Sequence, residues 1–204
     1  MIAAVSPRVS HVRRAAFWLG AMGVACSVWG QGNLPPKLAQ QMQLCQACHG
    51  EGTRAPIPGA PWLAAQPRLF LENRLVLIRE GLSPVDSMKG LLDALKDDEL
   101  TALAAFFSGL PAPASASPRD NAKAERGKFI TDRALCSSCH LPSQAGREQM
   151  PRLATQREDY LLTTMRNMLA GKAAGRDTLM TNALGGMKDG DLQDIAHHLA
   201  TMAP

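Results

Sequence analysis

Two short stretches could do chemistry: LCQACHG at 44–50 and LCSSCHL at 135–141. Each sets two cysteines three positions apart with a histidine directly after the second, giving Cys45, Cys48 and His49 in one copy and Cys136, Cys139 and His140 in the other. Such a group could clip a metal, shuttle a disulfide or anchor a haem. Haem attachment accounts for the spacing, because two thiols add across the two vinyl groups and the adjacent imidazole reaches the iron from one face. A redox dithiol expects a βαβ setting, and none is visible in the sequence. A four-ligand zinc site would have to join two separately duplicated halves, and it leaves the identical placement of the histidines unexplained. The pair of motifs therefore reads as two covalently bound c-type haems, held through Cys45, Cys48, Cys136 and Cys139, with His49 and His140 on the irons.

The second axial ligand has to be found elsewhere. Met88 is the only methionine between His49 and the second motif, so it is the candidate in the first copy. The second copy offers Met150, Met165, Met168, Met180, Met187 and Met202. Superposing the copies puts Met180 on Met88, Met187 on Leu95, Met165 on Leu75 and Met168 on Ile78. Met180 is then the ligand, and the last three read as core residues at helical spacing.

The elements that must position these groups also come twice. PWLAAQPRLFLENRLVLIREG (61–81) matches PRLATQREDYLLTTMRNMLAG (151–171), and MKGLLDALKDDELTALAAFF (88–107) matches MTNALGGMKDGDLQDIAHHL (180–199) without a gap. This is an internal duplication. Leu71, Leu75 and Ile78 share a face at i, i+4, i+7, and Leu161, Met165 and Met168 repeat it. Gly81 and Gly171 stand where a helix end needs a residue tolerant of positive φ. A later helix in each copy starts near Asp97 or Asp189 as a candidate N-cap. With no alternating strand pattern of useful length, the expected fold is all-α. PAPASASPRDNAKAE at 111–125, rich in Pro, Ala and Ser, reads as an extended linker. The expected organisation is a signal at 1–30, a first domain at 31–110, a linker over 111–121 and a second domain at 122–204.

The signal reading rests on Arg8, Arg13 and Arg14 ahead of the apolar run AAFWLGAMGVACSVWG, which is too short for a firm membrane span. Cleavage is expected near Gly30, with an uncleaved anchor or a lipidated Cys26 as alternatives. Those three arginines account for most of the formal charge of +4, so the rest of the chain is close to neutral. No clustered basic surface of a nucleic-acid binder is apparent. Domains of this size, with aromatic residues at 4% of the chain, bury a thin core and gain from a bound cofactor.

The motifs in this order resemble the class I c-type cytochromes, most closely the two-haem cytochrome c4 family: CQACHGEG, PWLAAQ, a helix, Gly81 and Met88, then CSSCH, PRLATQ, a helix, Gly171 and Met180. The resemblance covers roughly residues 37–110 and 122–202. It implies two small tandem helical domains, each with a His/Met-ligated haem c. It further implies a periplasmic electron carrier, not an enzyme, working between redox protein partners such as membrane respiratory complexes and taking no small-molecule substrate. The alternatives are a haem subunit of a larger dehydrogenase or oxidase and, further off, a dihaem peroxidase. The family's proline, whose carbonyl accepts from the proximal histidine, falls on Pro61 and Pro151. Three departures stand out. The family's helical glycine appears only as Gly127, Leu141 replaces the glycine found as Gly50, and His198 takes the aromatic position of Phe106. His197 and His198 are expected as one packed and one solvated residue.

Overall fold

The computed structural model describes residues 36–51, 57–115, 117–175 and 178–204. The signal expected at 1–30, with Cys26, lies outside them. Among the described residues regular structure is helical, with a lone bridge between Arg147 and Met150. In the first half α1 (Pro36–His49), α2 (Arg68–Arg79) and α3 (Asp97–Ser108) follow one another, with a 3-10 turn at Asp86–Met88 between the last two. In the second, α4 (Asn121–Arg133), α5 (Ser137–His140), α6 (Glu158–Leu169), α7 (Thr178–Ala183) and α8 (Asp189–Ala200) repeat the order. No described helix is long and apolar enough to cross a membrane.

The helical periodicity of the two copies becomes two hydrophobic clusters. Leu38, Leu71, Leu92, Leu95, Leu100, Leu103, Ala104 and Phe107 form one. Leu161, Met165, Met168, Leu184, Leu192, Ile195, Ala196 and Leu199 belong to the other. The methionines expected in the core at 165 and 168 are buried there, and Met187 packs against the same cluster from its edge. Gly81 and Gly171 both take φ +68 just past α2 and α6, where their N–H groups bond Ile78 and Met168 carbonyls.

Three local expectations are corrected. Asp97 and Asp189 open α3 and α8 instead of capping them. The caps fall on Lys96 and Lys188, whose N–H groups donate to Glu99 and Asp191 at 2.8 Å. The freed aspartates receive Arg79 at 2.7 Å and Arg166 at 2.6 Å, tying α2 to α3 and α6 to α8. The extended stretch ends earlier than 125, because Asp120 accepts from the Lys123 N–H at 3.1 Å and starts α4. Arg119 and Asp120 are fastened to Thr201 and His197 of the second half, so this stretch is anchored there. Neither terminal-helix histidine is solvated, since His197 and His198 are both buried. His197 Nε2 accepts the Asp120 N–H at 2.9 Å while Nδ1 meets the Glu158 carboxylate at 3.1 Å, so both of its nitrogens are engaged away from any iron.

Candidate metal centres

Each attachment motif sits on a helix that ends at its histidine. In the first half α1 runs unbroken through Cys45 and Cys48 to His49. In the second, the chain leaves α4, passes Leu135 at φ +55, and forms the one-turn α5 that carries Cys139 and His140. The residue after each histidine turns the chain back. Gly50 does so at φ +78 without penalty, whereas Leu141 is held at φ 69 and ψ 158, a region open almost only to glycine.

That turn returns the chain to the same contact in both copies. His49 Nδ1 lies 2.8 Å from the Pro61 carbonyl, and His140 Nδ1 lies 2.8 Å from the Pro151 carbonyl. A carbonyl can only accept, so the proton is on Nδ1 and the Nε2 lone pair is left for a metal. Burial holds both imidazoles below their usual pKa, with the carbonyl contact opposing it, so each is neutral and able to ligate at pH 7. Cys45, Cys48, Cys136 and Cys139 form no disulfide with one another. Burial pushes Cys45 up to about 11, and raises Cys136 as well. Both thiols therefore stay protonated at neutral pH. Among the described residues no three His, Cys, Asp or Glu side chains cluster as a metal site, so the geometry offers no zinc cluster spanning the two motifs.

Met88 closes the 3-10 turn and packs against the first cluster, and Met180 lies on α7 and packs against the second. Downstream, the Leu95 N–H bonds Leu92 at 2.9 Å and the Met187 N–H bonds Leu184 at 3.1 Å. The two turns match at a constant offset, and the same offset sets Met180 on Met88.

Sequence reasoning missed the contact between the halves. Gln66 donates to the Arg152 carbonyl at 3.0 Å and accepts the Arg152 N–H at 3.0 Å. Gln156 does the same to Trp62, at 3.0 and 2.8 Å. Each glutamine thus satisfies the backbone N–H and carbonyl of one residue in the opposite half, next to the proline that holds the histidine. The loops bearing them pass through positive φ at Ala65 and Thr155, whose N–H groups bond the ends of α3 and α8 at Phe107 and Leu199. The signal was present in PWLAAQ and PRLATQ, where a buried polar residue is the same in both copies. A second contact joins the Ser83 hydroxyl to the Ala174 carbonyl at 2.7 Å.

No protein-family model matches the chain. It is 30% identical over 177 residues to the thiosulfate dehydrogenase electron acceptor of Thiomonas intermedia, spanning 81% of this chain and 80% of that one. Cytochrome c4 of Pseudomonas aeruginosa is 28% identical over 165 residues, spanning 76% and 82%. Reduced recombinant cytochrome c4 from Pseudomonas stutzeri superposes with a TM-score of 0.74 at 25% identity, covering 82% of this chain and 97% of that structure. With this helical fold and these relatives, the chain belongs to the cytochrome c4-like class I c-type cytochromes. Membership implies covalently bound haem c and an electron-carrying, non-catalytic role. Location in the periplasm is typical of the cytochromes c4.

Proposed function

We propose that this protein is a periplasmic dihaem electron carrier built of two cytochrome domains, 31–110 and 122–204, joined by the linker at 111–121. Cys45 and Cys48 would hold one haem c with His49 and Met88 as axial ligands. Cys136, Cys139, His140 and Met180 would hold the other. When bound, such a group supplies a one-electron ferric/ferrous couple. With a histidine and a methionine at each iron, the chain's residues would fill both axial positions, leave no open coordination site for a substrate and favour outer-sphere transfer. Thioether ligands favour the ferrous state and so a high potential. The observation that carries this reading is the paired histidine to proline-carbonyl contact, which in both copies leaves Nε2 available on the histidine that follows two cysteines.

The partners would be a redox protein donor and an acceptor, with membrane respiratory complexes as the first choice. The relative in Thiomonas favours a second reading, in which the donor is a thiosulfate-oxidising dehydrogenase and this chain its electron-accepting subunit. Mixing the reduced chain with candidate acceptors, and the oxidised chain with such a dehydrogenase plus thiosulfate, separates the two. Haem reduction in the second mixture favours the subunit reading, and haem oxidation in the first with no reduction in the second favours the carrier between respiratory complexes. A haem count of one per chain would contradict both.

A further inference from the structure

Trp62 and Arg152 occupy equivalent places in the duplication, and nothing in the sequence pattern gave them a task. Each directly follows the proline whose carbonyl receives the proximal histidine. Both have their backbone N–H and carbonyl clamped by a glutamine of the other half. Trp62 is 2% exposed and Arg152 is 9% exposed. Their backbones are satisfied, but their side chains are not. Trp62 Nε1 and Arg152 Nη2 are buried with no hydrogen-bond partner among the described residues. Arg152 Nε donates to the Ala154 carbonyl at 3.1 Å, but no carboxylate pairs with the guanidinium among the described residues.

Arginine keeps its charge in proteins, and a buried cation without a counter-ion is costly. Two buried donors in register, each one residue beyond the proline that receives a proximal histidine, thus call for acceptors that the described polypeptide does not provide. Haem carries two carboxylates on the edge opposite its vinyl groups. The donors fit that need, and a guanidinium pairs with carboxylate in two-pronged geometry.

Resting on the dihaem reading above, we propose that Trp62 and Arg152 receive haem carboxylates at the junction between the halves, and that their difference in charge makes the two centres unequal. Trp62 is a neutral donor, while Arg152 adds a full positive charge in the loop that anchors His140. A nearby cation disfavours the more positive ferric state, so the second haem has the higher potential and is reduced first.

The test uses the full-length holoprotein and a redox titration that resolves the two haems, together with difference infrared spectra of the carboxylate bands. Arg152→Gln should lower the second potential, raising its ferric-to-ferrous ratio at fixed potential by about tenfold, and leave the first in place. Arg152→Lys should restore most of the potential but not the infrared band, since it keeps the charge and loses the fork. Trp62→Phe should shift a carboxylate band with little change in either potential. If Arg152→Gln fails to take up haem, Arg152→Lys decides: an unchanged carboxylate band overturns the proposal. A second potential that stays put in Arg152→Gln, or a first potential that moves in its place, also overturns it. A wild-type chain without two haems removes the dihaem reading itself, and the haem count reports that independently of the potentials.

Discussion

The first and second halves carry the same proposed donor set on differently built supports. In the second, α4 lies along α8, and a methyl group added at Gly127 would collide with the Asp194 carbonyl, so the helices touch backbone to backbone. Leu161, Met165 and Met168 of α6 are buried against α8. In the first, α1 meets α3 only briefly, with Lys37 reaching Glu99 at 2.8 Å, and Leu75 and Ile78 are only partly buried. The second half instead bears the strain, with Leu141 where the first has Gly50. One half is held by helix packing and pays locally at its turn, while the other is relaxed at the turn and leans more on whatever fills its pocket.

The sharpest way to break this comparison is to remove the attachment thiols from one half at a time. Cys45→Ala with Cys48→Ala should cost the first half its helical order while the second keeps its spectrum. The matching change at Cys136 and Cys139 should leave α4 and α8 partly formed, because their packing is independent of the thiols. Circular dichroism and limited proteolysis report both. Equal loss in the two variants would erase the distinction.

The glutamine clamp should matter equally to both halves. Gln66→Ala strands the N–H and carbonyl of Arg152, and Gln156→Ala strands those of Trp62, at about 1–3 kcal/mol for each buried unsatisfied group. Thermal unfolding should show each single variant destabilised by a similar amount and the second loop more open to hydrogen exchange in Gln66→Ala. A fall in stability confined to one half would show that the clamp is not reciprocal.

Leu141→Gly should sharpen the contrast at the turn. Releasing a non-glycine from this backbone region returns about 1–3 kcal/mol, less the burial lost with the side chain. A net gain of about 1 kcal/mol in denaturant unfolding is expected, and a loss would mean that leucine packing outweighs the strain.

The smallest effect is electrostatic. Hydrogen bonds from Arg166, then Gln193, pull the Asp189 carboxyl from 3.8 to about 2. A depressed carboxylate contributes stability that is present above its unfolded pKa and lost as the pH falls towards about 2. The pair is exposed, so the loss should be slight and screened by salt. Arg166→Gln should return the Asp189 carboxyl to the usual range in an NMR titration. An unchanged value would dismiss the pair.

Much of this was legible in residue spacing. The duplication, the helix ends at Gly81 and Gly171, and the core roles of Met165 and Met168 follow from periodicity and superposition. The clamp was not, because a glutamine paired to a peptide of the other half leaves no periodic trace beyond its repetition. The caps at Lys96 and Lys188 escaped because their Glu99 and Asp191 act through the backbone, where any residue can sit at the cap. The burial of His198 escaped because it depends on how close Gly127 lets α4 approach.

The central proposal is that the methionine common to both copies, and not the downstream one, completes each site. Carbon monoxide binding to the reduced holoprotein tests it. Met180→Ala should open the second haem to carbon monoxide and leave the first closed, while Met187→Leu should leave both closed. Binding to Met187→Leu with none to Met180→Ala would reverse the ligand assignment and, with it, the equivalence of the two halves.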